Sequence, residues 1–118
     1  MSLPLNPQIL AAAYEYLRAT PPFKSWKLPP ASAVKFKVTR HTDQEGDFTL
    51  DPNTNSHTYR VSANTIGHTN SLITVMAHEM VHGRQAVCKL PLNHNADFRR
   101  MSERVCRHHG WDVKIFVR

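Results

Sequence analysis

The chain has 118 residues, 41% of them hydrophobic, and a formal net charge of +6 from 15 Lys+Arg against 9 Asp+Glu. That length suits one domain over residues 1–118 with a modest core, and no apolar run approaches the ~20 residues of a membrane helix, so no membrane partner is expected. Cys88 and Cys106 are too few for a disulfide framework or a four-cysteine zinc site, and Met1 to Pro7 lacks the basic-then-apolar order of a secretory signal; a reduced, cytoplasmic setting is the expectation.

In chain order, Asn6 and Pro7 open the first element, because asparagine caps helices and proline fits the first helical position. Ile9, Leu10, Ala13, Tyr14 and Leu17 follow with helical spacing. Thr20-Pro21-Pro22 stops the helix near Ala19, since proline lacks an amide and disfavours helix in the residue before it. Phe23 to Ser32 is a connector. Over 34–40, Val34, Phe36 and Val38 alternate with Lys35, Lys37 and Thr39, the mark of a strand with one wet face. Residues 47–50 read as a second strand, Asp51 to Asn55 as a turn, and 57–63 as a third strand. Tight turns between them predict a small antiparallel sheet.

From Pro21 to Arg40 there is no acidic residue, and Lys24, Lys27, Lys35, Lys37 and Arg40 are mixed with Phe23, Trp26 and Phe36. Such interleaving can bind single-stranded nucleic acid by stacking and charge. The plainer reading, which we favour, buries the aromatics and leaves the lysines guarding a sheet edge.

A central helix is expected over about 71–86, capped by Thr69, Asn70 or Ser71. At ~100° per residue, Leu72, Ile73, Met76 and Met80 fall opposite His78 and His82. Asn93 and Asn95 are candidate caps for a further helix over about 96–108. Phe98, Met101 and Val105 mark its buried face, with Arg99, Arg100, Glu103, Arg104 and Arg107 elsewhere on it. Gly110 ends it. Val113, Ile115 and Val117 alternate and predict a short closing strand. The fold class is α+β.

The central helix carries His78-Glu79-Met80-Val81-His82. Histidines four apart share a helix face, and each can give a nitrogen to one Zn²⁺. Glu79 stands beside them as a general base for the zinc-bound water. Catalytic zinc usually takes a third protein ligand. One zincin class places that histidine six residues after the second, with glycine midway; those positions here are Cys88 and Gln85, which excludes it. Glu103 and Asp97 are possible third ligands. His94 is favoured, because a helix–loop–helix hairpin brings the start of the second helix back over the first. His108 and His109 read as helix-terminus residues, and His41, His57 and His68 as loop or strand histidines.

From about Leu10 to Lys114 the chain resembles the SprT-like metallopeptidases, the family that includes Spartan. The marks are Tyr14-Glu15-Tyr16-Leu17, Leu28-Pro29-Pro30, the strand from His57 to Ala63, Leu72 to His82, and His94-Asn95-Ala96-Asp97-Phe98. The resemblance implies a minimal zincin-like domain in which His78, His82 and His94 hold zinc and Glu79 is catalytic. Asn95 stands where the family usually has glycine, and asparagine tolerates the same backbone region. Many members carry a C-terminal Cys-rich zinc ribbon; these 118 residues hold none.

The expected activity is hydrolysis of a polypeptide lying along the edge of strand 57–63 by strand addition, with Tyr59, His57 or Arg60 as weaker candidates for oxyanion contact. Contact with DNA is expected through Lys24, Lys27, Lys35, Lys37, Arg99, Arg100, Arg104 and Arg107, with proteins on DNA as possible substrates. A non-catalytic zinc protein, with Cys88 as an extra ligand, or a nucleic-acid-binding module are the alternatives.

Overall fold

The Asn6 side chain accepts from the Ile9 amide at 2.8 Å and starts α1 (Pro7–Arg18), as the Asn-Pro pair predicts. The structure is a computed structural model that describes residues 4–67 and 69–118. Leu10, Ala13, Tyr14 and Leu17 form the buried face of α1. Two single 3₁₀ turns, Phe23–Ser25 and Ala31–Ala33, then lead into the sheet. Glu15 ties α1 to the second turn by accepting from the Ala31 amide at 2.7 Å. Phe23 and Trp26 are buried and Phe36 packs against the core, whereas Lys24, Lys27, Lys35 and Lys37 are exposed. The aromatics of the basic segment are therefore core residues, not a stacking platform.

The sheet has three strands, β1 (Val34–Thr39), β2 (Gly46–Leu50) and β3 (His57–Ser62), in the order β1-β3-β2. It is mixed, which corrects the antiparallel expectation: β3 pairs parallel with β1 and antiparallel with β2. Alternation shows which face of a strand is wet and says nothing about its neighbour. Here β3 is buried at four of its six positions and takes the centre, while Lys35 and Lys37 keep β1 at an edge. In register across the three strands stand Phe36, Tyr59 and Phe48. The Tyr59 ring lies 5.0 Å from Phe48, 5.2 Å from Tyr14 and 5.9 Å from Phe36.

The central helix, α2 (Thr69–Val87), crosses this aromatic row. Leu72, Met76 and Met80, joined by Ala77 and Val81, face the core. Gly83 allows α2 to approach closely, because a Cβ there would stand 2.2 Å from the Tyr59 hydroxyl. Thr69, Asn70 and Ser71 lie within the first turn and are not caps. The preceding residue, His68, lies outside the described residues. At the other end, Lys89 (φ 58°) takes the left-handed turn, and the Lys89 and Leu90 amides donate to Ala86 O and Gln85 O. That is the paired closure typical of a helix C-terminus.

The further helix, α3 (Ala96–His109), starts at Asn95, whose side chain accepts from the Phe98 amide at 3.0 Å, and ends at Gly110 (φ 75°). Phe98, Ser102, Val105 and Cys106 are its buried residues. The expected closing strand is instead a single helical turn, α4 (Val113–Phe116), begun by an Asp112 side chain that accepts from the Lys114 amide. Only Phe116 of this turn is buried, and Ile115 is 57% exposed. An alternation this short is equally consistent with one turn of helix, and the Asp112 cap decides it. Among the described residues no helix is long and apolar enough to cross a membrane.

Candidate metal centre

His78 and His82 project from α2 one turn apart, and His94 stands in the loop just before the α3 cap. One ring nitrogen from each lies within 4.8 Å of the others, a group that could hold a metal ion. The closest pair is His82 Nε2 and His94 Nε2, 3.2 Å apart. Phe98 packs against all three rings, stacked on His94 and His82 with centroids 4.3 Å and 4.7 Å away and edge-on to His78 at 5.1 Å. The structure thus brings together the three histidines favoured on sequence grounds. Glu103 is exposed on α3, and Asp97 is half-buried and ion-paired with Arg100, so neither joins the group. His41 and His108 are exposed, while His57 lies in β3 and His109 meets Thr20 Oγ1 and Trp111. Cys88 is an exposed free thiol outside the group.

The hydrogen bonds behind the rings fix which nitrogen is offered. His78 Nδ1 lies 2.6 Å from the Phe116 carbonyl oxygen. A carbonyl can only accept, so Nδ1 carries the proton and the Nε2 lone pair faces the cleft. His82 Nδ1 lies 2.7 Å from Gln85 Oε1, and Gln85 Nε2 donates to Asn93 O at 2.9 Å. Burial pushes His78 down to about 4, with the Phe116 carbonyl opposing and the other two imidazoles adding to the fall. Burial also lowers His82 and His94. All three rings are therefore neutral near pH 7, the form that binds metals.

Glu79 is buried, with Oε2 4.0 Å from His78 Nε2. Burial raises its pKa to about 8, and the nearby Asp47 carboxylate adds to the rise. With His78 neutral and Glu79 protonated, this is a neutral contact and not an ion pair. A cation held by the imidazoles would favour the ionised carboxylate.

These groups line a cleft of about 680 Å³. The cleft is also lined by Gly46, Asp47 and Phe48 of β2, which packs beside Glu79, and by Leu92, Ile115 and Phe116. Because β3 is flanked by β1 and β2, the strand edge that reaches the cleft belongs to β2, which corrects the expectation for strand 57–63. Of the oxyanion candidates, Tyr59 and His57 are buried and Arg60 pairs with Asp47 at 3.0 Å; none of the three lines the cleft.

Two partners stand outside the sequence expectations, Gln85 and the Phe116 carbonyl. Gln85 carried a signal, since it sits three residues after His82 and so shares its helix face. A backbone carbonyl 38 residues away carries none. No protein-family model, curated protein or solved structure matches this chain.

Proposed function

We propose that this chain is a zinc-dependent metalloendopeptidase of the SprT-like kind, with a zincin-like disposition of helix, strand edge and cleft. One observation carries the reading: three neutral imidazoles and the buried carboxyl group of Glu79 line a cleft that also takes residues of the edge strand β2. The donor set suits zinc. Tetrahedral zinc with Zn–N of ~2.0–2.1 Å places its nitrogens about 3.3 Å apart, and His82 and His94 already stand at 3.2 Å. Three protein donors leave a position open for catalysis. When bound, the metal supplies a Lewis acid that polarises a carbonyl and makes water more acidic.

The chain's own residues supply the rest. Glu79 takes the proton of the attacking water as its oxygen adds to the peptide carbon. Glu79 then hands that proton to the leaving nitrogen as the C–N bond breaks, giving a carboxylic acid and an amine. The β2 edge holds the substrate extended by main-chain hydrogen bonds, a mode that reads backbone more than side chains. Phe48, Leu92 and Ile115 give the cleft apolar surface for the side chains that alternate along it.

Substrates on DNA are the second part of the proposal. Lys24, Lys27, Lys35, Lys37, Arg99, Arg100, Arg104 and Arg107 are all exposed, and such an excess of cations attracts a polyanion. Binding to a DNA duplex that weakens steeply with added salt supports this part; no binding at low salt removes it.

The test of the peptidase reading is Glu79→Gln. Zinc content should stay at the wild-type level while peptide hydrolysis falls by about 10²–10⁴-fold. Undiminished hydrolysis in that variant overturns the mechanism, and a wild-type protein that binds zinc but cleaves nothing favours a non-catalytic zinc protein.

A further inference from the structure

Gln85 lies inside α2, wholly buried and three residues beyond His82. Burying a primary amide is unfavourable unless its two ends are paired. Both are paired here, one with a histidine ring and the other with the backbone next to a second histidine. Nε2 donates to Asn93 O at 2.9 Å, and Oε1 lies 2.7 Å from His82 Nδ1. Asn93 O has no proton to give, so the amide can take only one orientation, which turns Oε1 toward His82. His82 must then carry its proton on Nδ1 and present a bare Nε2.

Asn93 is also the residue before His94. Its side chain accepts from the Asn95 amide at 3.2 Å, in the turn that starts α3. One buried side chain thus holds the ring of one histidine and the backbone that delivers another. The 3.2 Å between His82 Nε2 and His94 Nε2 is the geometric result. With the His82 nitrogen bare, His94 Nε2 is the donor of that contact, and it turns to its Nδ1–H form when it offers Nε2 to a metal.

We propose that Gln85 is a positioning residue that couples His82 to the His94 loop, so that the centre receives its metal as one preset unit. This rests on the metal-centre reading and is independent of the peptidase step. Outer partners of metal-binding histidines commonly set affinity by fixing tautomer and ring orientation. Gln85 goes further because its other end reaches the backbone beside a second ligand.

The experiment pairs zinc affinity, by competition with a chromophoric chelator, with imidazole ¹H–¹⁵N NMR on the metal-free protein. The wild type should show His82 as the Nδ1–H tautomer. Gln85→Leu should lose about 10–100-fold in zinc affinity and move His82 toward Nε2–H. Gln85→Glu keeps an acceptor for His82 but sets a second acceptor oxygen against the Asn93 carbonyl in place of the amide N–H, so it should retain the tautomer and fall between the two in affinity. In a His94→Ala background, Gln85→Leu should cost several-fold less than in the wild type, because coupled residues are not additive.

Wild-type zinc affinity in Gln85→Leu, or full additivity with His94→Ala, overturns the proposal. If Gln85→Leu does not fold, the wild-type tautomer and Gln85→Glu decide: His82 found as Nε2–H overturns it. A wild type that shows the Nδ1–H tautomer but takes up no zinc sinks the metal-centre reading instead.

Discussion

His78 and His82 are held differently from His94. The first two are half-buried on a helix whose other face is core, and each Nδ1 is bonded to a fixed partner. The third is exposed and stands on a short loop. Its placement comes from neighbours: the Phe98 ring beneath it, the Asn95 cap after it and the Gln85 bond before it. A helix face fixes two ligands through its own periodicity, whereas a loop ligand needs several independent supports.

The most direct way to break that contrast is to remove one histidine from each side. His82→Ala and His94→Ala should each lower zinc affinity by more than about 100-fold, beyond the usual cost of losing an outer partner. They should differ without metal. His82→Ala leaves the buried Gln85 oxygen unpaired, which costs about 1–3 kcal/mol in denaturant unfolding. His94→Ala should leave the metal-free protein near wild-type stability. Equal destabilisation by the two would erase the distinction.

A smaller effect tests the seat of α2. Gly83→Ala sets a methyl group into the Tyr59 hydroxyl, and overpacking of this kind costs about 1–3 kcal/mol. Chemical denaturation of the metal-free protein reads it. A neutral result would mean that α2 is free to lift from the sheet, and that the helix-borne pair is less firmly held than the structure implies.

The smallest effect separates two similar caps. Asn6→Ala and Asn95→Ala should each cost ~1 kcal/mol of stability. Only Asn95→Ala should also weaken zinc binding, because its helix start fixes the loop that carries His94. Zinc affinity unchanged in both variants would remove the cap from the list of supports.

The same division explains what could be read from the chain. Local chemistry was legible: Asn6 and Asn95 cap, Gly110 stops, and Leu72, Met76 and Met80 set the inward face of α2. The histidine pair followed from that periodicity, and His94 from the hairpin. Partnerships between distant segments were not legible. The alternation of β1 is satisfied equally by β2 or β3 as neighbour, and the burial of β3 on both sides settles it. The 113–117 segment alternates like a strand but turns as a helix, because Asp112 caps it and Phe116 alone of α4 is fully buried, with Val113 and Val117 packed partly against the core. The partners of His78 and His82 divide in the same way. Gln85 lies within reach of helical spacing; the Phe116 carbonyl does not.

That carbonyl has a consequence during synthesis. His78 and the Phe116 oxygen are 38 residues apart, so the histidine motif leaves the ribosome well before its partner does. Until residue 116 has emerged and α4 has docked, His78 Nδ1 lacks the acceptor that holds its proton there. The proton of His78 is therefore fixed on Nδ1 only once two segments 38 residues apart have met.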